Sequence, residues 1–183
     1  MANRLSRPTN PPRKLYKFKS NDLDDRISWI EYEVNVGKRS PEIRDIAGQV
    51  LRKRPPRKWE QSAKDLFQWT RTNVRYTLDP QNVELFQSAE RSLQVGIGDC
   101  DDQAIMLGSL LQCVGIPVRL RVIGLKNEKQ FQHIYVLAGV PPHNPKKWIP
   151  LDASRAEKAG WELPASQRGL LRDYEVEDYD PDD

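Results

Sequence analysis

The run Gly98-Asp99-Cys100-Asp101-Asp102 sets one thiol among three carboxylates just before a long apolar stretch. Asp99 stands where a helix cap belongs. Asp102, three residues on, makes an acidic variant of the capping box. A helix starting at Cys100 would hold the sulfur against unpaired N–H groups and the positive end of the helix dipole. Such a setting favours the thiolate and later an oxyanion. The three carboxylates work the other way, and a dipole effect of about 0.3–1 kcal/mol does not outweigh them with certainty. An imidazolium in contact would, because two unit charges about 4 Å apart attract by roughly 4 kcal/mol at an effective dielectric near 20, before desolvation.

The chain has two histidines. His143 falls in a Pro-rich loop with no strand or helix to fix it. His133 falls within a strand pattern, in the row Phe131, His133, Tyr135 and Leu137, and this row is expected to pack on the helix that starts at Cys100. Asp152 ends the next strand pattern, Trp148-Ile149-Pro150-Leu151, where a carboxylate can accept from the far ring nitrogen of His133. Cys100 as nucleophile, His133 as base and Asp152 as the residue that orients the base form a nucleophile–base–orienter set suited to acyl transfer. Each has a bland alternative: a buried thiol is usually a small apolar filler, a histidine on an apolar face a core residue, an aspartate at a strand end a turn residue. The conjunction of the three carries the reading.

These residues need elements to hold them. Cys100, Ala104, Leu107, Leu111 and Val114 fall on one helical face, widened by Ile105, Met106 and Leu110, so the spacing predicts a largely buried helix over 100–114, stopped by Gly115 and Pro117. Ser40-Pro41 opens an amphipathic helix over 41–53, and a second helix is expected over 60–73. Residues 74–77 read as extended, 78–98 as an ordered loop with a turn or two of helix near 83–88. Alternating patterns predict strands over 118–122, 131–137 and 147–152, with turn-rich loops that suit antiparallel pairing. Within 24–36, Ile27, Ile30 and Val34 keep helical spacing while Ile30, Tyr32, Val34 and Val36 alternate with polar residues; the alternation is cleaner and predicts a strand over 30–36. Residues 155–171 read as a short helical or irregular return. Helices first and an antiparallel sheet afterwards make an α+β architecture.

The pieces FQWTRTNVRYTLDP (67–80), GDCDDQAIMLGSLLQCVGIPVRL (98–120), HIYVL (133–137) and WIPLDAS (148–154) occur in this order. Together they resemble the transglutaminase-like superfamily, its small microbial and phage-type members in particular. The resemblance covers about half of the chain. It implies a papain-like core and the roles given above for Cys100, His133 and Asp152. It implies thiol-dependent acyl transfer on an amide bond of a protein or peptide, with release by water or by an amine, hydrolysis being favoured. Gln94 and Trp69 are candidates for lining the site. A different expectation on the same fold is a non-catalytic adaptor, such as a component of a phage particle, in which case the chain is virion-associated.

Composition narrows the rest. Charged residues make up 30% of the chain and no apolar run approaches the roughly 20 residues that span a bilayer, so no membrane role is expected. The basic, Pro-rich start lacks the apolar core of a secretory signal. On one helix, Cys100 and Cys113 would stand about 20 Å apart, too far for a disulfide. Two free thiols fit a reducing, cytoplasmic compartment. Cys113 points elsewhere around the helix and reads as packing. With no CxxC and no close histidine pair, neither a metal nor a cofactor is expected. Net charge is +3, unevenly spread. Residues 1–20 are basic without an acid, and Asp173 to Asp183 is acidic without a base. The division is a flexible arm over 1–20, one domain over 21–171 and an acidic tail over 172–183, both ends being solvated segments with the capacity to dock protein partners of opposite charge. Arg52 to Lys58 reads as a solvated turn, and nucleic acid is not an expected partner, since only charge speaks for it.

Overall fold

The computed structural model describes residues 15–18, 22–79 and 84–180. The architecture is α+β. In chain order the elements are β1 (Leu15–Phe18), α1 (Leu23–Gly37), α2 (Pro41–Leu51), α3 (Trp59–Asn73), β2 (Arg75–Tyr76), β3 (Glu84–Gln87), α4 (Ala89–Val95), β4 (Ile97–Gly98), α5 (Cys100–Cys113), β5 (Val118–Leu125), β6 (His133–Val140), β7 (Lys147–Leu151) and β8 (Arg168–Glu175). Helix α5 is the axis of the core. From Asp101 to Leu111 every residue of it is buried, because it is covered by helices on one side and by the sheet on the other. That sheet is antiparallel in the order β7-β6-β5-β8. Two short pairs, β1 with β3 and β2 with β4, flank it.

Residues 30–36 are helix, not strand. They belong to α1, whose buried Ile27, Ile30 and Val34 follow the helical spacing that the alternation obscured. Asp22 caps α1 by accepting from the Asp24 amide at 2.8 Å. Two polar residues that made the pattern look like a strand are buried too. Asn35 uses its Nδ2 to reach the Glu177 carbonyl at 2.9 Å, and Glu33 is 1% exposed. Tertiary packing on α5 decided the element. The approach is close at Gly108, where a Cβ would come within 2.9 Å of Val34 Cγ2. In an exposed helix, Gly→Ala stabilises by up to about 1 kcal/mol. At Gly108 the sign should reverse: Gly108→Ala should destabilise by about 1–3 kcal/mol through overpacking, as read from the midpoint of urea unfolding.

The expected helix near 83–88 is displaced. Residues 84–87 form β3, and the helix is α4, which starts after Ser88 accepts from the Arg91 amide. Ser40 precedes α2 as expected but makes no cap bond; its hydroxyl donates to Glu42 Oε2 instead.

Both ends depart from the solvated-segment expectation where they are described. Residues 15–18, placed in the basic arm, pair with β3; 1–14 and 19–21 lie outside the described residues. Residues 172–175, placed in the acidic tail, continue β8, where Asp173 and Glu175 stand across from Arg121 and Arg119 on β5. Arg121 grips Asp173 through two nitrogens, at 2.7 and 2.6 Å. The positive row of β5 thus meets the negative row of β8, which is cross-strand pairing of opposite charges. Beyond β8 the chain stays bound. The Val176 amide donates to Val118 O, and Lys38, 8% exposed, pairs with Asp178. Residues 181–183 lie outside the described residues.

Candidate active site

The approach to Cys100 is built by short backbone pairs. Strand β2 runs parallel to β4, Tyr76 matching Gly98, and this delivers the chain to Asp99. Gly98 must lack a side chain, because a Cβ there would stand 2.6 Å from Asp102 Cβ. Asp99 then caps α5 as the spacing predicted. Its Oδ1 accepts from the amides of Asp101 and Asp102 at 3.0 and 3.2 Å, and Asp102 Oδ2 accepts from the Asp99 amide. The Gln103 amide goes to Asp99 O. Of the first-turn amides, three are therefore satisfied within the cap, and that of Cys100 is the one the cap leaves over. Gln87 locks the arrangement with its backbone N–H and its side-chain Nε2, both 2.7 Å from Asp102. Burial pushes the Asp102 carboxyl up to about 7 despite these donors. Asp99 is likewise raised, by burial and then by Asp101 and Asp102.

The Cys100 sulfur meets the sheet at the start of β6. Strand β7 pairs with Val136 to Val140 only, its last residue Leu151 lying opposite Val136. Two residues below, Ile134 lines the same small cleft as Cys100, and its amide draws the thiol down. Ile134 follows His133 in the chain, so the cleft beside the thiol opens at the start of β6. The row of β6 that packs on α5 is Ile134, Val136 and Ala138. This corrects the expectation that the His133 row does so. Tyr135 and Leu137 pack on the opposite side, with Ile123, Leu163, Trp148 and Trp161. His133 reaches the site as the first residue of the strand, where the sheet ends, rather than through its face.

His133 and Asp152 meet directly. Nε2 of His133 lies 2.6 Å from Asp152 Oδ2, and both side chains are nearly buried. Asp152 is held in turn. Its Oδ1 accepts from the Ser154 amide at 3.2 Å and from Ser154 Oγ at 2.7 Å, and Arg155 Nε stands 3.7 Å from Oδ2. With Nε2 committed to the carboxylate, Nδ1 is the ring nitrogen left for a thiol. His143 is exposed in the loop after β6, away from these residues in the chain.

The thiol's surroundings oppose its ionisation. Burial pushes Cys100 well above the ordinary thiol range, and Asp101 and then Asp99 push it further, while the Ile134 amide and Arg26 draw it back. The net direction favours the neutral thiol over the thiolate, against the helix dipole. A small cleft adjoins the sulfur, lined by Gln103, Ile134, Leu151, Asp152 and Ser154 among others, with room for about one water molecule. Trp69 and Gln94 do not line it. Gln103 is a lining residue that sequence reading missed; one helical turn beyond Cys100, it shares the cysteine's face. Its Nε2 donates to Val74 O, and its buried Oε1 has no hydrogen-bond partner among the described residues. Cys113 donates to Leu110 O at 3.2 Å, and burial pushes it up to about 11, in keeping with a packing role. Among the described residues no group of His, Cys, Asp and Glu is arranged to hold a metal, and no helix is long and apolar enough to cross a membrane.

Residues 44–153 match the family model described as Transglutaminase-like superfamily, which is more than half of the chain. The chain belongs to the transglutaminase-like superfamily. The matched span holds Cys100, His133 and Asp152, and leaves out α1 and β8. Two crystal structures share the superfamily chain's fold. One is a candidate cysteine protease from Cytophaga hutchinsonii, 17% identical, with a TM-score of 0.51 over 84% of this chain and 56% of that one. The other is a candidate protease from Parabacteroides distasonis ATCC 8503, 15% identical, with a TM-score of 0.50 over 70% of this chain and 26% of that one. The chain thus spans about half and about a quarter of those proteins. No curated protein matches it.

Proposed function

We propose that this transglutaminase-like chain is a thiol-dependent enzyme acting on an amide bond of a protein or peptide, through Cys100, His133 and Asp152. The observation that carries the reading is the 2.6 Å contact of His133 Nε2 with Asp152, at the strand end where Ile134 and Asp152 line one cleft with Cys100. Asp152 sets the Nε2–H tautomer, so Nδ1 has a lone pair for the thiol proton. Because the sulfur's surroundings favour the neutral thiol, His133 takes its proton as the sulfur attacks the carbonyl, rather than resting beside a preformed thiolate. The Cys100 amide, left over by the cap, is placed to donate to the oxyanion. His133 then protonates the departing amine, and the thioester is released by water, the acceptor that a cleft of this size admits most readily.

A non-catalytic adaptor is the second reading, favoured by the narrowness of the cleft. A peptide-based electrophilic probe separates the two. Intact-mass and peptide analysis should find the adduct on Cys100 and none on Cys113, and a screen of peptide substrates should then find cleavage. A chain that takes up no probe at Cys100 is the adaptor.

A further inference from the structure

Helix α1 lies outside the residues that match the family, yet it reaches the thiol's surroundings. Arg26 extends from α1 to put Nη2 3.0 Å from Asp101 Oδ2. Its guanidinium also lies over the Phe86 ring, 5.9 Å from the centroid. Asp101 is 4% exposed, and its other oxygen, Oδ1, lies 3.8 Å from Cys100 Sγ. One buried carboxylate therefore stands between the thiol and a cation.

We propose that Arg26 is a positioning residue for Cys100: by holding Asp101 through Oδ2 and offsetting its charge, it stops the carboxylate from suppressing the sulfur's reactive form. The inference rests on Cys100 being the nucleophile. A carboxylate at this distance acts on the thiol in two ways. It repels the developing thiolate, and it competes with His133 for the thiol proton. A guanidinium on the far oxygen makes the carboxylate part of a nearly neutral pair and fixes its orientation. Without Arg26, a buried carboxylate with one fewer cation would face the sulfur, and both effects would grow.

Other charged and titratable groups face Cys100 as well. Asp99 and Asp102 share its helix turn, Tyr76 on β2 feels its charge, and His133 and Asp152 lie at the end of the sheet. Arg155 acts on Tyr76 and Asp152. Arg26 is the cation that draws the thiol back down, against Asp101 and Asp99.

The test reads Cys100 chemistry without requiring a substrate. In the full chain carrying Cys113→Ser, the rate of iodoacetamide alkylation is followed from pH 6 to 10 by intact mass, and the thiol's midpoint, which lies above this range, is obtained from the rate relative to a free model thiol. Arg26→Gln should move the midpoint up by about 1 pH unit or more, a roughly tenfold slower reaction near neutrality. Arg26→Lys, which keeps the charge, should restore most of it. Asp101→Asn should move the midpoint down, and Arg26→Gln with Asp101→Asn should match Asp101→Asn alone. A superimposable Arg26→Gln profile overturns the proposal, as does a shift that persists in full once Asp101 is neutral. If Arg26→Gln fails to fold, an Asp101→Asn midpoint that is unchanged or higher overturns it instead. A chain whose profile moves as expected but which cleaves nothing refutes the enzymatic reading and leaves the electrostatic role of Arg26 standing.

Discussion

Cys100→Ala should abolish amide-bond cleavage, lowering kcat/KM by about 10³-fold or more, as loss of a nucleophile does in sites that act as a unit. No neighbour can take over. Cys113 lies at the far end of α5 and donates to Leu110 O. Ser154, the nearest hydroxyl to the imidazole that hydrogen bonding records, is committed to Asp152 Oδ1 at 2.7 Å, with only a 3.5 Å approach to His133 Nε2. The fold should survive. Cys100 as a whole residue is intermediate in burial, although its sulfur is shielded; its cap is made by Asp99 and Asp102 rather than by its own side chain, and alanine is a good helix former. Urea unfolding should therefore change by no more than about 1 kcal/mol, so that steady-state kinetics and stability separate the chemical role from a structural one. Undiminished cleavage would move attention to Ser154.

Asp152→Asn is the second large effect, and its sign follows from hydrogen-bond supply. The Ser154 amide must donate, and it does so to Oδ1 at 3.2 Å. That obligation keeps an oxygen at the Oδ1 position and sends the new amide nitrogen to the Oδ2 position, 2.6 Å from His133 Nε2. Facing a donor, Nε2 must become an acceptor and the ring proton must move to Nδ1. The nitrogen meant for the thiol then has no lone pair. The expected loss in kcat is about 10²–10⁴-fold with KM little changed, as when the orienting acid of a comparable triad is replaced by its amide. A variant with full kcat would show that the carboxylate does not set the tautomer.

Local signals made much of this legible. The cap at Asp99 and Asp102, the buried helix from Cys100 and the alternation in β5, β6 and β7 are short-range patterns, and the structure keeps them. The contact of His133 with Asp152 was inferable because adjacent antiparallel strands bring their ends together. What failed was long-range. Helix α1 looked like a strand because Glu33 and Asn35 are buried polar residues, and Asn35 is bonded to a carbonyl 142 residues away. The acids of 173–175 looked solvated because the arginines that pair with them are on β5, more than fifty residues earlier. The row of β6 that faces α5 was misassigned because both rows are apolar, and parity alone cannot tell which apolar layer a helix covers. The Arg26 contact with Asp101 spans 75 positions and no local rule announces it.

With two histidines in the chain, nitrogen-15 NMR of the imidazole rings gives a substrate-free test, with exposed His143 as the internal control. In the neutral ring His133 should carry its proton on Nε2 with Nδ1 bare, and Cys100→Ala should change the Nδ1 chemical shift of His133 while that of His143 stays in place. A neutral His133 ring protonated on Nδ1, or His133 Nδ1 shifts that coincide with and without the thiol, would contradict the account.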